Sequence, residues 1–90
     1  MSIKRKQLTF TGRVQGVGFR YRAMYKANEL GLTGWVRNEW DGTVSMEVQG
    51  EELAIEKLIF GMQNERYIKI DGVGSLDLPL VENEKNFRVR

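Results

Sequence analysis

The pattern of hydrophobic and polar residues divides the chain into stretches with strand periodicity and stretches with helix periodicity. In residues 4–11, Leu8 and Phe10 alternate with Gln7 and Thr9, which predicts a half-buried strand with a polar outer face. In residues 19–30 the apolar side chains recur at helical spacing and Gly31 follows, which predicts a helix that ends in a left-handed glycine. The same criteria predict strands over residues 32–37, 43–49, 67–78 and 87–90, and a second helix from about 51 to 62.

The Asp41-Gly42 pair predicts a hairpin between the second and third strands. A three-residue loop that starts at Trp40 would pair Asn38 with Val44 and place the aliphatic residues of both strands on one face. A two-residue loop would move Val44 to the polar face. The three-residue loop is therefore predicted, with Asn38 on the covered side of the sheet.

The predicted element order is strand, helix, strand, strand, helix, strand, with a short last strand. This order indicates a single α+β domain over residues 1–90, a ferredoxin-like βαββαβ sandwich in which two helices cover one face of an antiparallel sheet. The first two strands are joined by a helical crossover, so they run parallel and end at the same edge of the sheet. The segment after the first strand and Asn38 near the end of the second are expected to meet there.

Residues 12–20, called the glycine loop below, contain three glycines between a predicted strand and a predicted helix. Such a junction leaves backbone N–H groups at the positive end of a helix, where they can bind phosphate without a metal. Glycines alone are a weak signal of phosphate binding, because glycines at such a junction more often form only a tight turn. The loop matches neither the P-loop nor the dinucleotide-binding motif. Arg20 strengthens the signal, since an arginine in the first helical turn opposes the helix dipole unless an anion binds. Arg13 and Arg22 are weaker candidates.

The composition excludes several kinds of catalytic and metal site. The chain has no histidine and no cysteine, which excludes His- and Cys-based nucleophiles, Ser-His triads and the usual zinc sites. Residues 1–40 carry eight basic and two acidic residues, and residues 41–90 carry six and ten. The half that contains the glycine loop therefore favours an anionic ligand. No signal peptide or membrane-length apolar run is present, so a cytoplasmic protein is expected.

Asn38 taken alone is typical of a strand-end turn residue. Beside a bound anion its carboxamide could orient a water molecule, accepting from the water and donating to the ligand. The remaining aromatic and basic residues of interest are expected to be structural. Trp35, Trp40, Tyr21 and Tyr25 should cover the sheet and helix, and Lys4-Arg5-Lys6 should be a solvated leading end.

Two segments resemble the signatures of the acylphosphatase family. Gly12-Arg13-Val14-Gln15-Gly16-Val17-Gly18-Phe19-Arg20 is similar to its phosphate-binding signature, and residues 34–44 are similar to its second signature, with the family's asparagine at Asn38. Two long motifs in the right order and spacing are more specific than either alone. The second half of the chain is similar only in architecture, and the short connection over 62–67 and the glycines at 72 and 74 depart from the family pattern.

The resemblance implies hydrolysis of the carboxyl–phosphate bond of a small acyl phosphate, with no metal, cofactor or covalent intermediate. Arg20 would bind the phosphate and Asn38 would position the attacking water. Backbone N–H groups from Gly16 to Phe19 would also bind the phosphate, and the substrate-binding residues would be Gln15, Gly16, Val17, Gly18 and Phe19. The protein is then expected to act as a monomer, without nucleic acid or membrane.

Two other functions stay open at this point. The first is a ferredoxin-like anion- or RNA-binding module without turnover, which the basic half of the chain permits. The strand over 43–49 offers no aromatic pair for stacking bases, however, and a net charge of +2 is modest for nucleic-acid binding. The second is a real but incidental activity, with a carbamoyl-phosphate-type ligand as the relevant partner.

Overall fold

A computed structural model describes residues 2–90 and contains five strands and two helices. In chain order they are β1 (Ile3–Arg13), α1 (Phe19–Glu29), β2 (Thr33–Asn38), β3 (Val44–Glu51), α2 (Glu52–Gln63), β4 (Lys69–Leu78) and β5 (Phe87–Val89). The ferredoxin-like order predicted from the sequence is confirmed. No helix within residues 2–90 is both long enough and apolar enough to cross a membrane.

The strands form one sheet in the order β4-β1-β3-β2-β5. β1 and β2 both run antiparallel to β3, which lies between them, so they are parallel to each other and end at the same edge as predicted. β5 pairs in parallel with β2, which makes the sheet mixed where a purely antiparallel one was expected. The reason is that the chain crosses the outer face of the sheet, the face away from the helices, after β4 and enters β5 from the other side.

The β2–β3 hairpin has the predicted register. Asn38 lies opposite Val44 and Val36 lies opposite Met46, so the aliphatic residues of both strands face the helices. Gly42 has a φ of +94°, the left-handed conformation that the three-residue loop requires. The prediction that Asn38 lies on the covered side of the sheet follows from this register and is confirmed.

The fourth strand differs in its limits from the prediction over 67–78. It begins at Lys69 and continues through Gly72 and Gly74, where the alternation of side chains is lost. Its backbone pairs with β1 along this stretch, with a bulge between Thr11 and Gly12. Ladder hydrogen bonds come from the backbone, so a strand can persist where its side chains give no signal.

The core lies between the sheet and the two helices. α1 buries Phe19, Ala23 and Ala27, and α2 buries Ile55, Leu58 and Met62. Full burial of a large apolar side chain contributes about 1.5–3 kcal/mol, so the core fixes both helices firmly against the sheet. The sheet contributes a fully buried set of Leu8, Phe10, Val36, Val44, Met46 and Val48.

Residues 79–86 cross the outer face of the sheet and bury part of it. Arg5 is only 3% exposed there, and it bonds to Glu47 at 3.0 Å and to Glu84 at 2.8 Å. The side-chain amide of Gln49 both donates to and accepts from the backbone of Val81, each at 2.9 Å. The expectation of a solvated position for Arg5 is therefore wrong, because the returning chain segment supplies the carboxylate that buries it.

Four Trp and Tyr residues were expected to cover the sheet and helix, and of these only Trp35 does so. Its ring is 9% exposed, with the guanidinium groups of Arg37 and Arg90 at 5.1 and 4.6 Å from its centroid. Trp40 is 99% exposed, because it lies at the hairpin tip beyond the reach of either helix. Tyr21 and Tyr25 are also exposed, since α1 turns its Phe19 and Ala23 face toward the core.

Candidate active site

Arg20 and Asn38 line one pocket of about 190 Å³ at the edge of the sheet where β1 and β2 end. They come from different elements, the first turn of α1 and the last residue of β2. The parallel arrangement of β1 and β2 accounts for their meeting. The other lining residues belong to the glycine loop and its junction with α1, and they are Val14, Gly16, Gly18, Phe19 and Tyr21.

The glycine loop is anchored in the core at both ends. Val14 is 1% exposed and Phe19 is 2% exposed, and the ring of Phe19 lies 4.9 Å from that of Phe10. Between these anchors Gly16 and Gly18 have φ values of +72° and +79°, a left-handed conformation that other residues adopt only at a cost. The glycines are therefore needed for the path of the loop.

The loop presents backbone donors at the start of α1. No backbone carbonyl within residues 2–90 accepts a hydrogen bond from the N–H groups of Gly16, Val17 or Gly18. Gly18 is the N-cap of α1 and offers no capping side chain, and the first turn of the helix holds no acidic residue. Unpaired N–H groups and the positive end of the helix dipole together favour an anion at this point.

Arg20 is positioned by the far end of the described chain. Its Nη1 donates to the backbone carbonyl of Arg90 at 3.2 Å, which uses one of the five N–H donors of the guanidinium. Arg22, by contrast, bonds at 3.1 Å to Glu65, which lies just after the end of α2, so it ties α1 to the segment that follows α2. The contact with Arg90 was not predicted, because only the β2–β5 pairing places that residue beside α1.

Gln15 has a role that the sequence did not reveal. Its Nε2 donates to the backbone carbonyls of Glu39 at 2.6 Å and Thr43 at 2.9 Å. The side chain thus ties the glycine loop to the β2–β3 hairpin and is not among the pocket-lining groups. Only the backbone N–H of Gln15 is left for the substrate contact predicted from the sequence. Val17 also lies outside this pocket and lines a neighbouring cavity, which Gly16 shares.

No carboxylate lines the pocket. Glu39 follows Asn38 in the chain, but its carboxylate is bound by Arg37 at 2.7 Å. Hydrogen bonds from Arg37 and Ser45 lower the pKa of Glu39 below its ordinary value, so it stays ionised and paired. Within residues 2–90, no three His, Cys, Asp or Glu side chains form a group that could hold a metal ion. The polar groups that face the pocket are therefore hydrogen-bond donors, from Arg20 and the loop backbone, and the carboxamide of Asn38.

Comparison with known proteins identifies the family of the chain. The profile of the acylphosphatase family matches residues 6–89. The chain is 40% identical to an acylphosphatase of Bifidobacterium longum over 99% of this chain and 94% of that protein. Its structure is similar to the crystal structure of the Bacillus subtilis acylphosphatase, with a TM-score of 0.88 and 29% identity over 99% of both chains. A Coxiella burnetii acylphosphatase structure is similar at a TM-score of 0.87 and 35% identity, over 98% of this chain and 93% of that one.

Proposed function

Because the chain belongs to the acylphosphatase family, we propose that it hydrolyses acyl phosphates to a carboxylate and inorganic phosphate, with Arg20 binding the phosphoryl group and Asn38 orienting the water. The observation that carries the proposal is the pocket shared by these two side chains and the loop glycines. Its volume of about 190 Å³ suits a phosphoryl group better than a whole substrate.

The phosphoryl oxygens are bound by the guanidinium of Arg20 and by backbone N–H groups from Gly16 to Phe19. These donors are fixed before the substrate arrives, because Val14 and Phe19 hold the loop in the core. Phosphoryl transfer needs little covalent help from a protein, and most of its catalysis comes from positioning and from charge around the equatorial oxygens. A guanidinium together with the end of a helix dipole supplies that charge without a metal.

The carboxamide of Asn38 accepts a hydrogen bond from water through Oδ1 and donates to a phosphoryl oxygen through Nδ2. The water oxygen then bonds to phosphorus as the bond between phosphorus and the acyl oxygen breaks. The acyl oxygen leaves with the electron pair as a carboxylate, and the proton lost by the water passes to phosphate or solvent. A carboxylate is a good leaving group, so neither a general base nor a general acid is needed.

The alternative of an RNA-binding module gains no support from the outer face of the sheet. The side chains of Glu47 and Gln49 on β3 bond there to Arg5 and to Val81, so these two side chains are not free to contact bases. Cytoplasmic location, a monomeric state, the absence of nucleic acid and independence of metal stay predictions.

We expect Arg20→Ala to abolish measurable turnover of benzoyl phosphate in the presence of a chelator. Among residues 2–90, Arg20 is the only cationic side chain that lines the pocket, and loss of one preorganised donor already costs about 10²–10³ in rate. Arg22→Ala is the matched control, since it removes an arginine two residues away that is paired with Glu65. Turnover that survives in Arg20→Ala, or that needs added metal in the unaltered protein, would contradict the proposal.

Asn38→Ala should lower kcat by about 10²–10³ and weaken inhibition by inorganic phosphate much less. The carboxamide acts mainly on the water, whereas Arg20 and the loop bind the anion. Asn64→Ala, at the end of α2, is the control for loss of a remote asparagine. An Asn38→Ala protein that loses phosphate binding and retains kcat would reverse the assigned role.

A further inference from the structure

The two edges of the sheet differ in how their backbone groups are satisfied. β5 forms one edge and bonds to β2 through Asn86 and Arg90, so the N–H and C=O groups of Phe87 point away from β2. Both of these groups bond to the carboxamide of Asn28 on α1. The N–H donates to Oδ1 at 3.0 Å, and the C=O accepts from Nδ2 at 3.2 Å. Unpaired backbone groups on an edge strand are a template for another chain, and Asn28 removes that template at Phe87.

β4 forms the opposite edge of the sheet. It is ten residues long, from Lys69 to Leu78, and among residues 2–90 its only neighbour in the sheet is β1. One row of its backbone N–H and C=O groups therefore faces away from the sheet. Natural edge strands are usually short, charged or interrupted by proline, whereas residues 72–76 of β4 contain no charged residue and no proline.

The regular part of this edge is residues 72–78. Before it, the pairing with β1 is interrupted by a bulge at Asp71, which has no partner on β1. After it, Pro79 lacks the N–H that a longer ladder would need. The regular part thus contains seven residues with Ser75 at its midpoint. Its one charged residue, Asp77, already forms an ion pair with a lysine of β1 at 3.2 Å.

This segment is complementary to an antiparallel copy of itself. With Ser75 opposite Ser75 of the copy, Gly72 lies opposite Leu78 and Gly74 lies opposite Leu76. These four residues pair with outer-face residues of β1, so they share one face of the sheet. Each leucine therefore packs beside a glycine, and the contact buries Leu76, which is 65% exposed in the single chain. Cross-strand pairs of this kind stabilise a sheet, and no like charges lie opposite one another in this register.

Neighbouring registers are less favourable. A pairing centred on Gly74 would place Asp71 opposite Asp77, and like charges directly opposite one another destabilise a sheet. A pairing centred on Leu76 would bring Pro79 into the ladder, where its missing N–H leaves a backbone group of the partner unpaired. The charges and the limits of the regular strand therefore favour one register.

We propose that β4 pairs with β4 of a second copy of the chain, antiparallel and centred on Ser75, so that the two sheets join into one. Seven residues a side bury less area than a standard interface, so the pairing is weak, with a Kd on the order of 100 µM. The monomer expected from the family resemblance is then the form present at the low protein concentrations of an activity assay. The pairing is independent of the proposed function, because the basic cavity beside β4, which Arg66 and Lys69 line, lies before residue 72.

Sedimentation equilibrium of the full chain tests the association, between about 5 µM and about 1 mM, a range that brackets the expected Kd. The weight-average mass should rise with concentration from 10.4 kDa toward twice that value. A monomer mass at every concentration would overturn the proposal. Growth beyond the dimer would also overturn it, because a pairing about a two-fold axis uses the β4 edge of both copies and closes.

Two variants at the exposed Ser75 test the register. Ser75→Lys and Ser75→Glu each place two like charges opposite one another at the two-fold axis, so each protein alone should stay monomeric over the whole range. An equimolar mixture of the two should associate again, because a lysine then faces a glutamate. Gln63→Lys adds a charge at an exposed position at the end of α2 and should associate as the unaltered protein does. Association that survives in either single variant, or a mixture that stays monomeric, would overturn the register.

Hydrogen exchange of the unaltered protein gives a measurement that needs no variant. Amide N–H groups of residues 72–78 that face away from β1 should exchange about fivefold more slowly at about 1 mM protein than at high dilution, as the Kd above requires. Exchange rates in this segment that do not change with concentration would contradict the proposal. Acyl phosphate turnover per chain should be the same in Ser75→Lys as in the unaltered protein, which shows that the variant is folded.

Discussion

Individual residues of the glycine loop act through their backbone conformation. A Cβ atom at Gly18 would have its nearest contact at 3.5 Å from Nε of Arg22, and one at Gly16 would meet nothing within 4 Å. Space is thus not what requires glycine at these positions. The requirement comes from φ, which is positive at both, and a side chain there would be strained or would change the direction of the N–H groups.

Gly18→Ala tests this requirement. We expect it to destabilise the fold by about 1–2 kcal/mol, the cost of a left-handed alanine, and to lower kcat/KM between about tenfold and a hundredfold as the loop donors shift. Gly31→Ala is the control, because Gly31 has a φ of +72° and equally open surroundings at the far end of α1. It should lose similar stability in urea unfolding without a loss of activity. Equal activity losses in both variants would show that the effect is general destabilisation.

At the scale of elements, the site depends on how the glycine loop and the β2–β3 hairpin are held together. The loop carries the backbone donors, and the hairpin carries Asn38 at the end of β2. Gln15 joins them through its two hydrogen bonds to hairpin carbonyls. The spacing between the loop donors and Asn38 therefore depends on a side chain that does not line the pocket.

Gln15→Ala should lower kcat about tenfold, because a small displacement of Asn38 from the loop is enough to misplace the water. It should also cost about 1–2 kcal/mol in stability for two lost hydrogen bonds. Gln49→Ala is a matched control, since that side chain also makes two backbone hydrogen bonds, to Val81 on the opposite face of the sheet. Comparing kcat for the two variants separates the positioning of Asn38 from stability alone, and an unchanged kcat in Gln15→Ala would exclude such positioning.

For the whole molecule, the two faces of the sheet have different tasks. The helix face holds the core and ends at the candidate site, whereas residues 79–86 cross the outer face and bury Arg5 there. Burial opposes ionisation of Glu84, but hydrogen bonds from Arg5 and Thr33 and the charges of Arg5 and Arg88 outweigh it, so the pKa of Glu84 lies below its ordinary value. The fold therefore gains stability from the ionised form of this carboxylate.

This lowered pKa predicts a loss of stability in acid. Ionised Glu84 stabilises the fold above the unfolded-state carboxyl pKa of about 4.3, and the contribution is lost as the pH falls through the lower folded-state value. Glu84→Gln should therefore cost about 1.5 kcal/mol at pH 7 and almost nothing once the folded-state carboxyl is protonated. Urea unfolding as a function of pH checks this, with the exposed Glu82→Gln as the control. A difference between Glu84→Gln and the unaltered protein that does not change with pH would contradict the ionic role.

Arg5 and Arg20 illustrate how far sequence patterns reach. Arg5 lies near the start of β1, and Arg20 lies in the first turn of α1. The helix dipole gave a local reason to single out Arg20, whereas nothing within a few residues of Arg5 indicated that Glu84, 79 positions away, would bury it. Similarly, the β2–β3 register could be predicted from the length of the turn and from the need to place the aliphatic residues on one face. The cavity beside β4 could not, because Arg66 and Lys69, which line it, belong to no recognisable motif.

Residue patterns are enough to predict the element order, the hairpin register and the parallel run of β1 and β2, because alternation, turn chemistry and a helical crossover are local or topological properties of the chain. They are therefore also enough to predict that Arg20 and Asn38 reach one edge of the sheet. The folded molecule alone shows the β2–β5 pairing, the attachment of Gln15 to the hairpin, the burial of Arg5 and the basic cavity beside β4. These features depend on contacts between segments far apart in the chain, and no local pattern of residues records which distant partner each side chain will meet.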